Sequence, residues 1–282
     1  MSKAVVVGAG TMGNGIAHVF AQHGWDTVLV DVAADALARA VKTIEGNLKR
    51  QVTKGAISDQ QSADTRRRIE TSTSFDPVKN ADLVVEAATE NPEIKFKIFA
   101  DLGRLAPRQT ILASNTSSIS ITELAAHTNR PQQVIGMHFM NPVPVMKLVE
   151  VIRGKETSND TVKKTVEIVQ QLGKAPVEVT DSPGFVSNRV LMPMINEAIF
   201  CVQDGIATPE AVDQVMKLGM SHPLGPLALA DLIGLDVCLS ILKVLQDGLD
   251  QQKYRPAPLL EKMVAAGQLG RKSGLGFYAY RD

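Results

Sequence analysis

The chain has 282 residues, its 30 Lys and Arg balance its 30 Asp and Glu, and 44% of its residues are hydrophobic. This apolar fraction can support a packed core, which argues against a disordered chain, and the zero net charge argues against a general nucleic-acid-binding protein. The only two cysteines, Cys201 and Cys238, exclude a disulfide framework and a Cys-based zinc site, and they favour a reducing compartment.

No apolar run approaches the roughly 20 residues that span a bilayer. The first apolar run, residues 4–7, is short and passes directly into a Gly-rich turn, unlike a signal peptide. We therefore expect a cytoplasmic protein with no membrane partner.

Short apolar runs alternate with helical patterns in the first part of the chain, which predicts βα units and a parallel sheet. The predicted strands are residues 4–8, 27–31, 83–87, 110–113, 134–137, 145–152 and 176–179. The predicted helices between them include residues 13–23, 34–52, 93–105 and 160–172. The expected fold class is α/β, with an N-terminal, Rossmann-type, mostly parallel sheet.

The pattern changes at residues 180–184, where turn residues cluster and the strand-like runs stop. Residues 185–282 are typical of helices separated by Gly and Pro, so we expect an N-terminal domain, 1–182, and an all-α C-terminal domain, 183–282. The apolar stretch 185–202 predicts a helix buried against another domain or subunit, with a kink or a break at Pro193.

Residues 8–13 read GAGTMG, which places glycines at the three positions of a dinucleotide-binding turn. A strand precedes this turn, a helix follows it, and the next strand ends at Asp31, whose carboxylate can bind a ribose 2′-hydroxyl and repel a 2′-phosphate. The alternative is a Gly-rich turn in an ordinary α/β domain. We predict NAD as cofactor and no metal, with these cofactor-binding residues: Gly8, Gly10, Thr11, Met12, Gly13 and Asp31.

The sequence contains no Cys–His zinc cluster and no Tyr-x-x-x-Lys proton relay, which leaves a histidine as the candidate general base. His138 follows the predicted strand 134–137, at the sheet edge where ligands bind in such folds. A histidine with a purely structural role remains an alternative on position alone.

The chain resembles the 3-hydroxyacyl-CoA dehydrogenase family, most closely its short bacterial branch. The resemblance extends from the first strand to the C-terminus and rests on these segments: GAGTMG (8–13), LVVEAATE (83–90), LASNTSS (112–118), GMHFMNPVPVMKLVEV (136–151), SPGFVSNR (182–189), SHPLGPLALADLIGLD (221–236) and GRKSGLGFY (270–278).

This resemblance implies that His138 is the base that takes the proton of the substrate 3-hydroxyl and that Glu150 orients it. From the residues alone, Glu150 could instead be a surface charge paired with Lys147 or Arg153. The resemblance also assigns Ser117 and Asn188 to the substrate oxygen. Ser117 could otherwise cap a helix, as could Ser118 or Ser120, and Asn188 could be a polar residue of an apolar helix.

On the cofactor side, the resemblance places Glu90, Lys95 and Asn115 near the nicotinamide and its ribose. Lys95 would otherwise be interpreted as a solvated surface charge. The resemblance further implies that the helix after the second strand contacts coenzyme A through Arg50 and Lys54. The stretch 39–68 supports this, because its eight Lys and Arg face three carboxylates, a local net charge of +5. A solvated helical hairpin is the alternative.

The expected activity is hydride transfer between NAD and C3 of a short-chain (S)-3-hydroxyacyl-CoA, which interconverts 3-hydroxybutyryl-CoA and acetoacetyl-CoA. The expected partners are this acyl-CoA and a second copy of the chain, with the C-terminal domain serving substrate binding and dimerisation. Two alternatives remain: a dehydrogenase of a free 3-hydroxy acid or sugar acid on the same fold, and a non-catalytic NADH-binding protein.

Overall fold

A computed structural model describes residues 2–280, which fall into two compact units divided between Ser182 and Pro183. We call the part before this division unit 1 and the part after it unit 2. The roles that the sequence suggests for the two parts stay predictions at this point.

Unit 1 is a sheet covered by helices. Its strands are β1 (Lys3–Val7), β2 (Asp26–Val30), β3 (Ile69–Ser72), β4 (Leu83–Glu86), β5 (Ile111–Ser114), β6 (Val134–Phe139), β7 (Leu148–Arg153) and β8 (Ala175–Thr180). Its helices are α1 (Thr11–Gln22), α2 (Ala34–Thr53), α3 (Asp59–Arg67), α4 (Pro92–Leu105), α5 (Ile121–Ala126) and α6 (Asn159–Gln171).

The strand order is β3-β2-β1-β4-β5-β6-β7-β8. Every neighbouring pair is parallel except β6 and β7, which are antiparallel. The central strands β1, β4 and β5 are fully buried apart from the N-terminal residue of β1, as expected for strands covered on both faces. The structure confirms the predicted class, a mostly parallel Rossmann-type sheet followed by a helical part.

Three elements of unit 1 are absent from the sequence-based prediction, namely the helices α3 and α5 and the strand β3. The helix α3 is polar apart from Ala63, and Thr65 is its one buried residue, so it has no apolar periodicity to reveal it. Its signature is a capping box, in which Ser58 and Gln61 bond each other's main-chain N–H. The strand β3 is short and largely polar, and it lies at the edge of the sheet beside β2.

The predicted strand 145–152 begins too early. Val145 is 69% exposed and belongs to a turn in which the N–H groups of Val145 and Met146 both donate to the Pro142 carbonyl, each at 3.0 Å. The strand β7 therefore begins only at Leu148, and its ladder with β6 begins at Val149. Conversely, β6 continues beyond residue 137, because pairing with β7 keeps His138 and Phe139 in the ladder.

Unit 2 is built from helices α7 (Ser187–Gln203), α8 (Pro209–Gly219), α9 (Pro226–Ile233), α10 (Leu235–Gly248) and α11 (Pro258–Ala265). The helix α7 packs against the other four, which explains its apolar character within unit 2. It continues through Pro193, so the break that the sequence suggested is not formed.

The buried carboxylate of Asp231 holds the C-terminal motif GRKSGLGFY in place. Asp231 accepts hydrogen bonds from the N–H groups of Phe277 and Tyr278, both at 3.0 Å, and from the Tyr280 hydroxyl at 3.0 Å. A Cβ on Gly276 would lie 2.0 Å from an Asp231 oxygen, so this glycine allows the approach. These hydrogen bonds attach the C-terminal segment to α9 of unit 2.

His18 on α1 makes the stability of the protein pH-dependent. Its side chain is fully buried, and neither ring nitrogen has a hydrogen-bond partner among the described residues. Burial lowers the pKa of His18 from 6.5 to about 4; the nearby Gln22 side chain opposes this shift in part, and the charge of His23 adds to it slightly. Between pH 6.5 and pH 4, His18 is protonated in the unfolded chain but not in the folded protein. The free energy of unfolding therefore decreases as the pH falls through this range.

We expect the free energy of unfolding to decrease by about 2–3 kcal/mol between pH 7 and pH 4.5 through His18 alone. In His18→Leu this part of the pH dependence should disappear, because no group titrates at that position. Urea unfolding of both proteins at the two pH values measures the difference. Exposed His127→Gln is the control, and an unchanged pH dependence in His18→Leu would contradict the prediction.

Candidate active site

The turn between β1 and α1 has the geometry of a dinucleotide-binding loop. Gly8 adopts a φ of +103°, and a Cβ on Gly13 would lie 1.7 Å from the Gly8 carbonyl oxygen, so the helix begins in direct contact with the turn. A Cβ on Gly10 would instead stand in open space. Gly8 and Gly13 thus serve the packing of the loop, while Gly10 leaves its outer side accessible.

This open side faces a cavity of about 880 Å³ at the N-terminus of α1. Gly10 is the N-cap of the helix, no side chain caps it, and the first turn holds no acidic residue. Main-chain N–H groups and the positive end of the helix dipole therefore point toward the cavity, as binding of a pyrophosphate requires. Thr11 lines the cavity, whereas the Met12 side chain packs against the core of unit 1.

Asp31 lies at the edge of the same cavity, directly after β2. Its Oδ2 accepts the Ala9 N–H at 2.8 Å and its Oδ1 accepts the Ala33 N–H at 3.0 Å, which fixes the carboxylate against the glycine loop. The loop, the free helix terminus and this carboxylate together fit the pyrophosphate and ribose of NAD. Arg39, which the sequence analysis counted among the cations of the stretch 39–68, also lines this cavity and is ion-paired with Asp35.

His138 and Glu150 form a buried pair on neighbouring strands. The antiparallel register of β6 and β7 places them directly opposite each other, and His138 Nδ1 lies 2.8 Å from Glu150 Oε2. Their exposed fractions are 8% and 2%. The alternative surface pairing of Glu150 is wrong, because Arg153 bonds Glu178 at 2.8 Å and Lys147 Nζ contacts the Gly173 carbonyl.

A carboxylate can only accept a hydrogen bond, so the proton of a neutral His138 is placed on Nδ1 and the lone pair on Nε2. This tautomer makes Nε2 the basic atom. The charge of Glu150 then stabilises the imidazolium that forms when Nε2 takes up a proton. The arrangement is that of a general acid–base pair.

Glu90 joins the ends of β4 and β5. Its carboxylate accepts hydrogen bonds from the Thr116 hydroxyl at 2.8 Å, the Ser117 N–H at 3.0 Å and the Ser117 hydroxyl at 3.4 Å. Ser117 does not cap the following helix, since Ser120 accepts the N–H of Glu123 at the start of α5. The structure thus brings Glu90 and Ser117 together.

Asn115 connects this region with the histidine strand. Its side-chain oxygen accepts the Phe139 N–H at 2.9 Å, one residue beyond His138. The N–H of Asn115 donates to the Glu86 carbonyl at 2.7 Å. Asn115 therefore links the carboxyl ends of three adjacent strands, β4, β5 and β6.

Lys95 is not a surface charge. It is 1% exposed, near the start of α4, and its Nζ lies 2.7 Å from both carboxylate oxygens of Glu86. Sequence reasoning missed Glu86, although a carboxylate inside the apolar run LVVEAATE signals a buried partner.

The remaining predicted residues lie elsewhere on the chain. Asn188 is a buried residue of α7 in unit 2, 8% exposed. Arg50 and Lys54 are exposed at the C-terminal end of α2, where Arg50 donates to the Asn47 side chain. Of the eight cations in the stretch 39–68, three are paired with carboxylates, namely Arg39 with Asp35, Arg66 with Glu45 and Arg67 with Asp64.

Within residues 2–280, no helix is both long and apolar enough to cross a membrane.

Comparison with known proteins identifies the family. Residues 3–182 match the model described as 3-hydroxyacyl-CoA dehydrogenase, NAD binding domain, and residues 184–280 match the C-terminal domain of the same family. The match of residues 3–182 agrees with the NAD site described above.

Relatives of known name match along almost their whole length. A probable 3-hydroxybutyryl-CoA dehydrogenase of Bacillus subtilis is 55% identical over 282 residues, which cover 100% of this chain and 98% of the relative. A 3-hydroxybutyryl-CoA dehydrogenase of Bradyrhizobium diazoefficiens is 52% identical over 281 residues, which cover 100% of this chain and 96% of the relative. The crystal structure of (S)-3-hydroxybutyryl-CoA dehydrogenase from Ralstonia eutropha superposes with a TM-score of 0.97 at 50% identity, covering 100% of both chains. The chain belongs to the 3-hydroxyacyl-CoA dehydrogenase family, with NAD as its cofactor.

Proposed function

We propose that the protein catalyses the NAD-dependent interconversion of (S)-3-hydroxybutyryl-CoA and acetoacetyl-CoA. The observation that carries this proposal is the buried His138–Glu150 pair at the same sheet edge as the dinucleotide cavity. The matching relatives named as 3-hydroxybutyryl-CoA dehydrogenases support the choice of substrate.

In the oxidation direction, His138 Nε2 takes the proton of the substrate 3-hydroxyl as the C3–O bond becomes a carbonyl. NAD, held by the glycine loop and Asp31, would supply the hydride acceptor for C3. Glu150 holds the ring in place and stabilises the imidazolium through the hydrogen bond at Nδ1. In the reduction direction the same nitrogen returns the proton to the oxygen.

We assign Ser117 and Asn188 to the substrate oxygen, where hydrogen-bond donors stabilise the developing negative charge. The hydroxyl of Ser117 donates to Glu90 at 3.4 Å, which places this serine beside the segment assigned to the nicotinamide side. Glu90, Lys95 and Asn115 form the nicotinamide side, whereas Gly8, Gly10, Thr11, Met12, Gly13 and Asp31 bind the rest of the cofactor.

The exposed cations Arg50 and Lys54 are assigned to the phosphates of coenzyme A. Unit 2 supports association into a homodimer, because it exposes several large apolar side chains, among them Val190, Ile206, Val215, Leu218 and Met220. We propose the cytoplasm as the compartment, in line with two free thiols.

The decisive experiment is the oxidation of NADH with acetoacetyl-CoA, followed at 340 nm. The reaction should proceed with the CoA ester and not with free acetoacetate. Activity with the free acid alone would favour a free hydroxy-acid dehydrogenase, and binding of NADH without turnover would favour a non-catalytic protein.

We expect His138→Gln to lower kcat by about 10²- to 10⁴-fold, because the variant lacks the general base. The Kd for NADH should stay unchanged, since the dinucleotide cavity is intact. Steady-state kinetics and NADH fluorescence titration measure the two quantities, with His127→Gln as the control. Normal turnover in His138→Gln would exclude this residue as the base.

Asp31→Asn should shift the preference between NADH and NADPH. The variant removes the negative charge that repels a 2′-phosphate and weakens the bond to the ribose, so the ratio of the two Kd values should change by about tenfold toward NADPH. Fluorescence titration with both cofactors measures it. Asp101→Asn on the surface of α4 is the matched control, and an unchanged ratio would refute the role of Asp31.

The double variant Arg50→Ala with Lys54→Ala should raise the KM for acetoacetyl-CoA several-fold and leave kcat unchanged, since only carrier contacts are lost. The KM of the wild type should also increase with ionic strength more steeply than that of the variant. Arg104→Ala removes a comparable exposed cation from α4 as a control. Equal KM values would place the CoA phosphates elsewhere.

A further inference from the structure

Glu86 and Lys95 form a buried ion pair next to the loops that carry Glu90, Asn115 and Ser117. Glu86, at the carboxyl end of β4, is 0% exposed and Lys95 is 1% exposed. Each oxygen of Glu86 lies 2.7 Å from Lys95 Nζ. In addition, Oε1 accepts the Ala88 N–H at 2.8 Å and Oε2 accepts the Ser114 hydroxyl at 2.7 Å. One carboxylate thus joins α4, the loop after β4 and the end of β5.

We propose that Glu86 is a positioning residue of the reaction, and that Lys95 acts through it. This inference rests on the proposed function, because it concerns the loops that carry Glu90, Asn115 and Ser117. The resemblance places Lys95 near the nicotinamide, whereas this proposal gives it the additional role of holding Glu86 in position. Both oxygens of the buried Glu86 carboxylate bind the Lys95 ammonium group.

The first connection runs to Ser117. The Ser114 hydroxyl, which donates to Glu86, accepts the Thr116 N–H at 3.2 Å. The Thr116 hydroxyl in turn donates to Glu90 at 2.8 Å, and Glu90 accepts the Ser117 N–H at 3.0 Å. The hydrogen bond from Ala88 fixes the start of the loop that carries Glu90. Glu86 therefore sets both the loop of Glu90 and the segment of Ser117.

The second connection runs to the histidine. The main-chain carbonyl of Glu86 accepts the Asn115 N–H at 2.7 Å, and the Asn115 side chain accepts the Phe139 N–H at 2.9 Å. Phe139 follows His138 on β6. A displacement of β4 at Glu86 is thereby transmitted to the strand end that holds the base.

The charges make this arrangement rigid. A buried carboxylate or ammonium group without its partner is strongly destabilising, so each holds the other in one rotamer. Loss of either charge leaves the other uncompensated in the interior, and the surrounding loops must move to solvate it. Since catalysis depends on the position of reacting groups to within about 1 Å, such a movement impairs cofactor binding and turnover together.

The test compares Glu86→Gln, Lys95→Met and the double variant. Glu86→Gln keeps the shape of the side chain and leaves Lys95 in place, yet we expect it to raise the Kd for NADH by about tenfold to a hundredfold. Lys95→Met should have a similar effect, and the double variant should be no worse than either single variant, since the two residues act as one unit. Fluorescence titration of NADH measures all three.

Amide hydrogen exchange of the protein without cofactor gives a second measurement. In Glu86→Gln, exchange should increase at Ala88 and at residues 115–118. The double variant has no uncompensated buried charge, so it should recover thermal stability. It should not recover NADH affinity, because an amide has one acceptor oxygen and cannot hold both Ala88 and Ser114 as the carboxylate does, and this difference separates positioning from folding. Arg130→Met is the matched control, because Arg130 bonds the carbonyls of Gly103 and Pro107, and it should lower the Tm while the Kd for NADH stays unchanged.

An NADH affinity of Glu86→Gln equal to that of the wild type would overturn the proposal, as would strictly additive effects in the double variant. A weak effect of Glu86→Gln beside a strong effect of Lys95→Met would show direct contact of Lys95 with the cofactor instead. Neither NADH titration nor amide exchange uses an acyl-CoA. If the wild type fails to reduce acetoacetyl-CoA, the proposed function fails, while these measurements still decide the role of Glu86.

Discussion

The reversal of β7 against β6 is the constraint on which the candidate active site depends. Strands β1 to β6 run in one direction and bring their carboxyl ends to one edge, where the glycine loop, Asp31 and His138 lie. Because β7 runs antiparallel to β6, Glu150 stands directly opposite His138, and the two side chains bond at 2.8 Å. The position of the His138–Glu150 pair is therefore set by a main-chain ladder, which is more rigid than a loop.

Buried carboxylates organise both units in a similar way. Glu86 joins two strands and a helix of unit 1, and Asp231 holds the C-terminal motif of unit 2. In unit 2, Asp213 also accepts the N–H groups at the start of α9 and the Tyr278 hydroxyl. Removing a carboxylate from water costs several kcal/mol, so each is stable only where several donors converge on it. This requirement makes the surrounding main chain well defined.

The sequence predicted much of the fold, and its errors have physical reasons. Apolar runs and helical periodicity located the central strands and the long helices, since these elements bury one face or both. The helix α3 escaped because its residues are almost entirely polar, and β3 because it is a short edge strand. The early start of the 145–152 strand reflects apolar residues, Val145 and Met146, that the fold leaves in an exposed turn.

The sequence by itself predicted the glycine loop, the acidic residue after β2 and the change from strand-like to helical patterns near residue 182. The resemblance added the prediction that His138 and Glu150 form a pair. These features are local in the chain or are recognised from ordered motifs. Only the tertiary structure decided that Lys95 is buried against Glu86, that Ser120 rather than Ser117 caps α5, and that Arg39 lines the cavity. These contacts join residues of different elements. From the sequence alone several partners are equally possible for each residue, and strand pairing and the burial of charge decide which partner is used.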